Sequence, residues 1–174
     1  MSTGAAPEFS VGELAVYPAQ GITRVVSIVE KEVAGQVQEF YVLRVLDSEQ
    51  KILVPVRRAR QIGLRPPASP EDIRDLFHTL EEAPFTYDDQ TWNRRYRGFI
   101  DKIKTGALVD VAEVVRDLHR LKAYKDLSFS ERKMLETAQK LMVQELAVSR
   151  GTSEEAARRS IEDAFAPETK EPEA

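Results

Sequence analysis

The chain has 174 residues, 42% of them apolar and 31% charged, enough for one medium domain or two small ones. With 25 Lys+Arg against 29 Asp+Glu its net charge is −4, so the whole chain is no polycation, and its zero cysteines exclude disulfides, thiolate zinc sites and a thiol nucleophile. No apolar run approaches the length of a membrane span and no signal-peptide pattern opens the chain, so the reading is a soluble intracellular protein rather than an enzyme.

The N-terminal third reads as β. Val11–Val16, Thr23–Val29, Gln38–Leu46 and Lys51–Val56 are short and rich in Val, Ile, Leu and aromatics, and turn chemistry separates them at Pro18–Gly21, Val33–Gly35 and Asp47–Glu49. Phe40–Leu43 and Ile52–Val54 are apolar on both faces, so one sheet face packs on a core while the other meets something else. Four or five strands at this spacing suggest a small antiparallel barrel.

After Pro66-Pro67 the apolar period changes to 3.6. Ser69-Pro-Glu-Asp72 combines an N-cap Ser, a first-turn Pro and an acid at the third helical position; Ser128–Glu131 and Thr152–Glu155 repeat the capping-box spacing. Gly106 and Gly151 stand where helices should end. The spacing predicts helices at 70–81, 91–105, 109–123, 129–149 and 153–165, followed by an acidic tail over 167–174 that should be disordered. The expected organisation is a β-rich unit over 1–66 and a helical unit over 67–166.

Charge is unevenly placed. Residues 1–67 carry a net +1, 68–91 a net −6, 92–149 a net +4 and 150–174 a net −3. Trp92–Lys104 holds five basic residues against one acid, a local patch able to neutralise phosphates in a chain of negative net charge. On a helical wheel Trp92, Tyr96, Phe99, Ile100 and Ile103 form one stripe. Arg95 and Lys102 lie on one flank of it, and Arg94, Arg97 and Lys104 on the other. That pattern fits either an amphipathic helix with a solvated basic back or a nucleic-acid helix with donors at its N-terminal end. Trp92 can be the last rung of the core or an exposed wedge against bases, and periodicity leaves both open. Arg132-Lys133 is a second basic pair, at another positive dipole end.

Enzyme readings find little support. His78 and His119 lack a metal-ligand spacing, Asp88-Asp89 read as turn or capping chemistry, and the 8 glycines form no phosphate-binding loop; Gly21, Gly35 and Gly63 read as turn residues. No cofactor is expected.

From about Phe9 to Phe165 the chain resembles the CarD/CdnL family of bacterial RNA polymerase-binding transcription regulators. The resemblance rests on Val11-Gly-Glu13, Val16-Tyr-Pro18, Gly21, Lys31–Gly35, Phe40–Leu43 and Val54-Pro55. It continues through Thr91–Arg97, Lys104–Gly106, Ala112–Leu118, Asp126–Ser128 and Glu131–Leu135, in order and with matching spacing. It implies an α+β chain in which a Tudor-like small antiparallel β domain binds the polymerase β subunit and a compact all-helical domain contacts promoter DNA. Such regulators stabilise the open complex of the housekeeping sigma-factor holoenzyme at the upstream edge of the bubble, with little base specificity. The Trp matched by Trp92 wedges into the minor groove. Arg94, Arg95, Arg97 and Arg132 match DNA-facing positions, Asn93 and Lys133 more weakly, while Tyr96 stays in the core. For the polymerase, Lys51–Val56 is the expected edge strand. Leu53, Val54 and Pro55 would make the contact and Lys31 would pair with an acid; a buried Leu53 is the plainer alternative. Some members carry Arg at the position of Leu53. The implied location is the cytoplasm, at the nucleoid through polymerase, and a monomer suffices. Two other classes stand beside this reading, a freestanding DNA-binding protein and a protein-interaction adaptor without functional DNA contact.

Overall fold

Strand and helix follow the two apolar periods. In the computed structural model, which describes residues 8–82 and 92–165 apart from the side chains of Trp92, Asn93 and Tyr124, four strands make one antiparallel sheet in sequential order: β1 (Leu14–Tyr17), β2 (Gly21–Val33), β3 (Gln36–Val45) and β4 (Lys51–Pro55). Among the described residues this is an open, curled sheet and not a closed barrel. Its one further pairing is an isolated antiparallel bridge from Val16 of β1 to Arg65. Alternation sorts the apolar residues by face. Val25, Tyr41, Leu43 and Val54 turn inward onto a small core completed by Phe9, Val56, Ala59 and Leu64. Tyr41 anchors it, its hydroxyl accepting from the backbone of Glu8 at 2.8 Å while Phe9 meets its ring edge-on.

The strands β2 and β3 run longer than expected and close in a two-residue turn, with Val33 paired to Gln36. Ala34 (φ 52°) and Gly35 (φ 78°) both take the left-handed conformation such a tight hairpin demands. After β4 the chain makes a 3-10 turn (Val56–Arg58) and the one-turn helix α1 (Ala59–Ile62), ended by Gly63 at φ 101°. The strand periodicity gave no sign of α1, because four residues are too few to show a helical period.

The helices match the capping chemistry: α2 (Pro70–Glu81), α3 (Trp92–Thr105), α4 (Leu108–Tyr124), α5 (Phe129–Arg150) and α6 (Glu154–Ala164). Both partners of the capping box are present at Ser69/Asp72 and Ser128/Glu131. At the last helix the cap is Ser153, accepting from the Ala156 N–H, so the helix is entered one residue later than the Thr152 spacing predicts. Gly106 (φ 73°) and Gly151 (φ 64°) end α3 and α5. The turn or capping chemistry expected at Asp88-Asp89 and the acidic tail lie outside the described residues. The helices share a second core around Leu76, Leu80, Val114, Leu118, Met142 and Leu146. Arg116, buried in it, is held by Asp117 at 2.9 Å and Glu82 at 3.3 Å.

Sheet and helices meet through a polar clasp. Arg65, the residue bridged to Val16 of β1, forms a bidentate pair with Glu145 of α5, with Nη2 to Oε2 at 2.9 Å. The same guanidinium donates twice to the Gly106 carbonyl, at 3.0 and 2.7 Å. Glu145 is only 4% exposed and also accepts from the Ala68 N–H at 3.1 Å. Pro18 packs so closely on Gly106 that a Cβ there would lie 2.9 Å from the proline ring.

Candidate functional site

Two separate surfaces carry the residues singled out by the sequence. The first is the outer face of the sheet and its β4 edge. Leu53 pairs with Val42, Pro55 with Phe40 and Lys31 with Gln38, which places Lys31, Leu53 and Pro55 on one face, opposite the core. Leu53 is 46% exposed, which rules out the buried alternative, and Lys31 is exposed too. Val54 is the correction in this group: it faces the core at 1% exposure, paired with Tyr41, and can offer a partner only its backbone. Among the described residues β4 pairs on one side only, with β3, so its other edge keeps free backbone donors and acceptors, save at Pro55, which has no N–H.

The second surface is α3. Phe99 is buried in the helical core, and Tyr96, Ile100 and Ile103 pack partly against it, as the wheel predicts. Arg94 and Arg97 are exposed, Arg95 is half-buried, and Lys104 is exposed at the C-terminal end. Lys102 is tied to Glu113 of α4 at 2.9 Å, which takes it out of the free basic face. Trp92 and Asn93 form the first turn of α3, and their side chains lie outside the described residues.

The basic pair on α5 divides. Lys133 borders a groove of about 350 Å3 with Tyr96 and Ile103 of α3 and with Phe129. Arg132 instead lines a cavity of about 800 Å3 between α4, α5 and α6, together with His119, Lys122 and Arg158 and the acids Asp126, Glu136 and Glu162. The two side chains therefore line different cavities, because consecutive residues on a helix are 100° apart. In that cavity His119 stacks on Phe165, with ring centroids 4.2 Å apart. Its pKa is lowered, first by burial and then by the neighbouring charges of Lys122 and Arg120. At the entrance to α5 burial pushes the Glu131 carboxyl up, but hydrogen bonds from Ser128 and the charge of Lys125 together hold it below its ordinary value. Both groups belong to packing and capping. Among the described residues no cluster of His, Asp or Glu could hold a metal ion, and no helix is long and apolar enough to cross a membrane.

Three residues went unnoticed in the sequence. Phe129 has a signal that could have found it: on the α5 wheel it falls on the side away from Met134, Leu135, Ala138 and Met142, yet it is apolar. Arg65 and Glu145 have none, since 80 residues separate the two halves of the clasp.

Comparison with known proteins covers both surfaces. The family described as "CarD, C-terminal domain" matches residues 75–162, and "CarD-like/TRCF RID domain" matches residues 9–67. YdeB of Bacillus subtilis (strain 168), whose name describes a transcription factor, is 36% identical over 148 residues, 84% of this chain and 95% of that protein. Among solved structures, the N-terminal part of CdnL from Myxococcus xanthus is 41% identical, covering 39% of this chain and 96% of its own, with a TM-score of 0.31. The 72-residue N-terminal domain of Myxococcus xanthus CarD is 38% identical, covering 36% and 84%, also at 0.31.

Proposed function

This chain belongs to the CarD/CdnL family, and we propose that it is a transcription regulator that anchors on RNA polymerase and acts on promoter DNA from there. The observation that carries this reading is the pairing register of the sheet, which sets an exposed Leu53 and, with it, Pro55 of the edge strand β4 on the same outer face as Lys31 of β2. Such an edge accepts a strand from a partner: backbone hydrogen bonds supply affinity, and the alternate side chains supply specificity. The partner in this reading is the polymerase β subunit. Val54 contributes backbone, Leu53 and Pro55 contribute apolar contact, and Lys31 meets a carboxylate. The unit over 1–66 carries this anchor and the unit over 67–166 the DNA contact.

On the DNA side, Arg94, Arg95 and Arg97 of α3, with Arg132 and Lys133 of α5, contact phosphates. Asn93 adds a polar contact and Trp92 wedges into the minor groove at the upstream edge of the bubble. Phosphate contacts of this number give weak, salt-sensitive and sequence-tolerant binding. Anchoring raises the effective concentration beside the promoter without any new contact, so a monomer suffices. A wedge that fits the distorted junction better than closed duplex shifts the equilibrium by that difference in affinity, which stabilises the open complex of the housekeeping sigma-factor holoenzyme. The place of action is the cytoplasm, at the nucleoid.

Open-complex lifetime with purified holoenzyme tests the reading. The wild-type chain should lengthen it. Trp92→Ala should keep polymerase binding and lose most of the lengthening, and Leu53→Asp should lose polymerase binding with the helical fold intact. A lifetime that Trp92→Ala leaves unchanged would favour an adaptor that makes no functional DNA contact.

A further inference from the structure

The register of the sheet sorts charge by face as well as apolar residues. Arg24 of β2 lies opposite Arg44 of β3, and Arg44 opposite Lys51 of β4, so three cations form one row across the strands on the outer face. Like charges set directly opposite one another cost a sheet stability, so folding alone gives no reason for the row. Among the described residues its one ion pair is Arg44 with Glu49 at 3.5 Å, too exposed to offset the repulsion. Arg24 donates to the Gly12 carbonyl at 2.8 Å, which holds its guanidinium in place without neutralising it. The next row holds Val42 and the exposed Leu53, and Lys51 stands two residues from Leu53 along β4, on the same face. Acids are kept off this face of the hairpin: Glu30, Glu32 and Glu39 occupy the alternate positions, on the other side of the sheet.

We propose that the row of Arg24, Arg44 and Lys51 receives a carboxylate-bearing segment of RNA polymerase, the part of the partner that runs past Leu53 once β4 is seated. The inference rests on the reading that β4 docks on polymerase and adds an electrostatic contact to that anchor. Lys31 lies at the opposite end of the apolar rows, so the contact is separate from the one Lys31 makes. Guanidinium forks take carboxylates through two parallel hydrogen bonds, and Lys51 adds a point charge at the free edge. Continuity points to a protein rather than a nucleic acid: the row shares its face with Leu53, an apolar contact that a phosphate backbone does not match. Cations at the rim of an interface steer association and make it salt-dependent.

A salt titration of the full chain binding to holoenzyme without DNA tests this. The double variant Arg24→Gln/Lys51→Gln should bind about ten-fold more weakly at low salt, roughly three-fold for each exposed charge pair lost. The deficit should fade toward about 1 M salt, where the Debye length is about 3 Å. Each substitution relieves a like-charged neighbour, so the variant should melt at or above the wild-type temperature, and unfolding cannot explain its loss of binding. Arg57→Gln removes an exposed cation from the turn after β4, outside the row, and should bind as the wild type does. If the double variant keeps wild-type affinity and salt dependence while Leu53→Asp fails to bind, the proposal is overturned and the reading of β4 stands. If Leu53→Asp also binds as the wild type does, that reading falls and takes the proposal with it. A loss in Arg57→Gln as large as that of the double variant would mean that net charge acts and not the row, which overturns the proposal. A deficit that appears only with promoter DNA present would mean that phosphates occupy the row, which also overturns it.

Discussion

His119 shows how a residue with catalytic chemistry serves packing instead. Its ring lies flat on Phe165 at the wall of a cavity that also holds Lys122, and each neighbour disfavours the charged imidazole. The folded chain therefore binds a proton less readily than the unfolded chain, whose histidine titrates near 6.5. Above that value the group is neutral in both states and has no effect. As pH falls through 6.5 toward the lowered folded value, the unfolded state takes up the proton first and the fold loses stability, and below the folded value the loss levels off. Urea midpoints measured from pH 8 to pH 5 should consequently fall more steeply for the wild type than for His119→Gln through that window. Parallel curves would remove the coupling between this ring and the fold. Leu53 makes the complementary point at the same scale. An apolar residue in a strand with two apolar faces reads equally well as core or as contact, and only the register against Val42 decides it.

At the scale of elements, legibility tracked how much local chemistry marks an end. Four of the five long helices, all but α4, have a side-chain cap or a terminal glycine in their sequence, and those signals placed α2 and α5 to within a residue or so. Thr152 and Ser153 are both competent caps, so spacing alone could not choose between them; the structure selects Ser153. The sheet was legible as strands but not as a closed or open form, because closure depends on pairings between distant residues. The β2–β3 turn was legible only in part, since Ala34 is an unusual residue for it. An L side chain at φ 52° is strained, and Asn or Gly suits the position better. Ala34→Asn should raise stability by about 0.5–1 kcal/mol, roughly a 2 °C higher melting temperature for a chain of this size. Binding to polymerase should not change, because the turn begins three residues beyond Lys31 and its register is kept. An unchanged or lower melting temperature would mean that the turn relaxes away from the left-handed pair in solution.

At the scale of the whole molecule, the proposed function asks that β4 and α3 keep a definite offset, and the Arg65–Glu145 clasp ties the sheet to the helices. Arg65 is paired through its backbone to Val16 of β1, while its guanidinium reaches both the α5 carboxylate and the carbonyl that ends α3. Gly106 makes the approach possible twice over, by its positive φ and by the room it leaves for Pro18. Asp47, in the β3–β4 turn, adds a second tie to Lys140 of α5 on the rim. With each unit holding its own apolar core, these polar ties and the small apolar seam of Val16 and Ile22 with Leu108 and Leu141 couple the sheet to the helices. Removing Arg65 leaves the Glu145 carboxylate buried without its cation, which costs about 3 kcal/mol, the low end for a buried pair because the Arg65 side chain is partly open to solvent. In Arg65→Ala, amide exchange in β3 and in α4 under increasing urea should therefore separate into two transitions, whereas the wild type shows one. Arg65→Lys should fall between, since a single ammonium cannot hold a bidentate carboxylate and the Gly106 carbonyl at once. If β3 and α4 continue to exchange together in Arg65→Ala, the clasp does not couple the two cores. The offset between β4 and α3 must then be set by the apolar contact of Leu141 against Gly21 and Pro18 against Gly106.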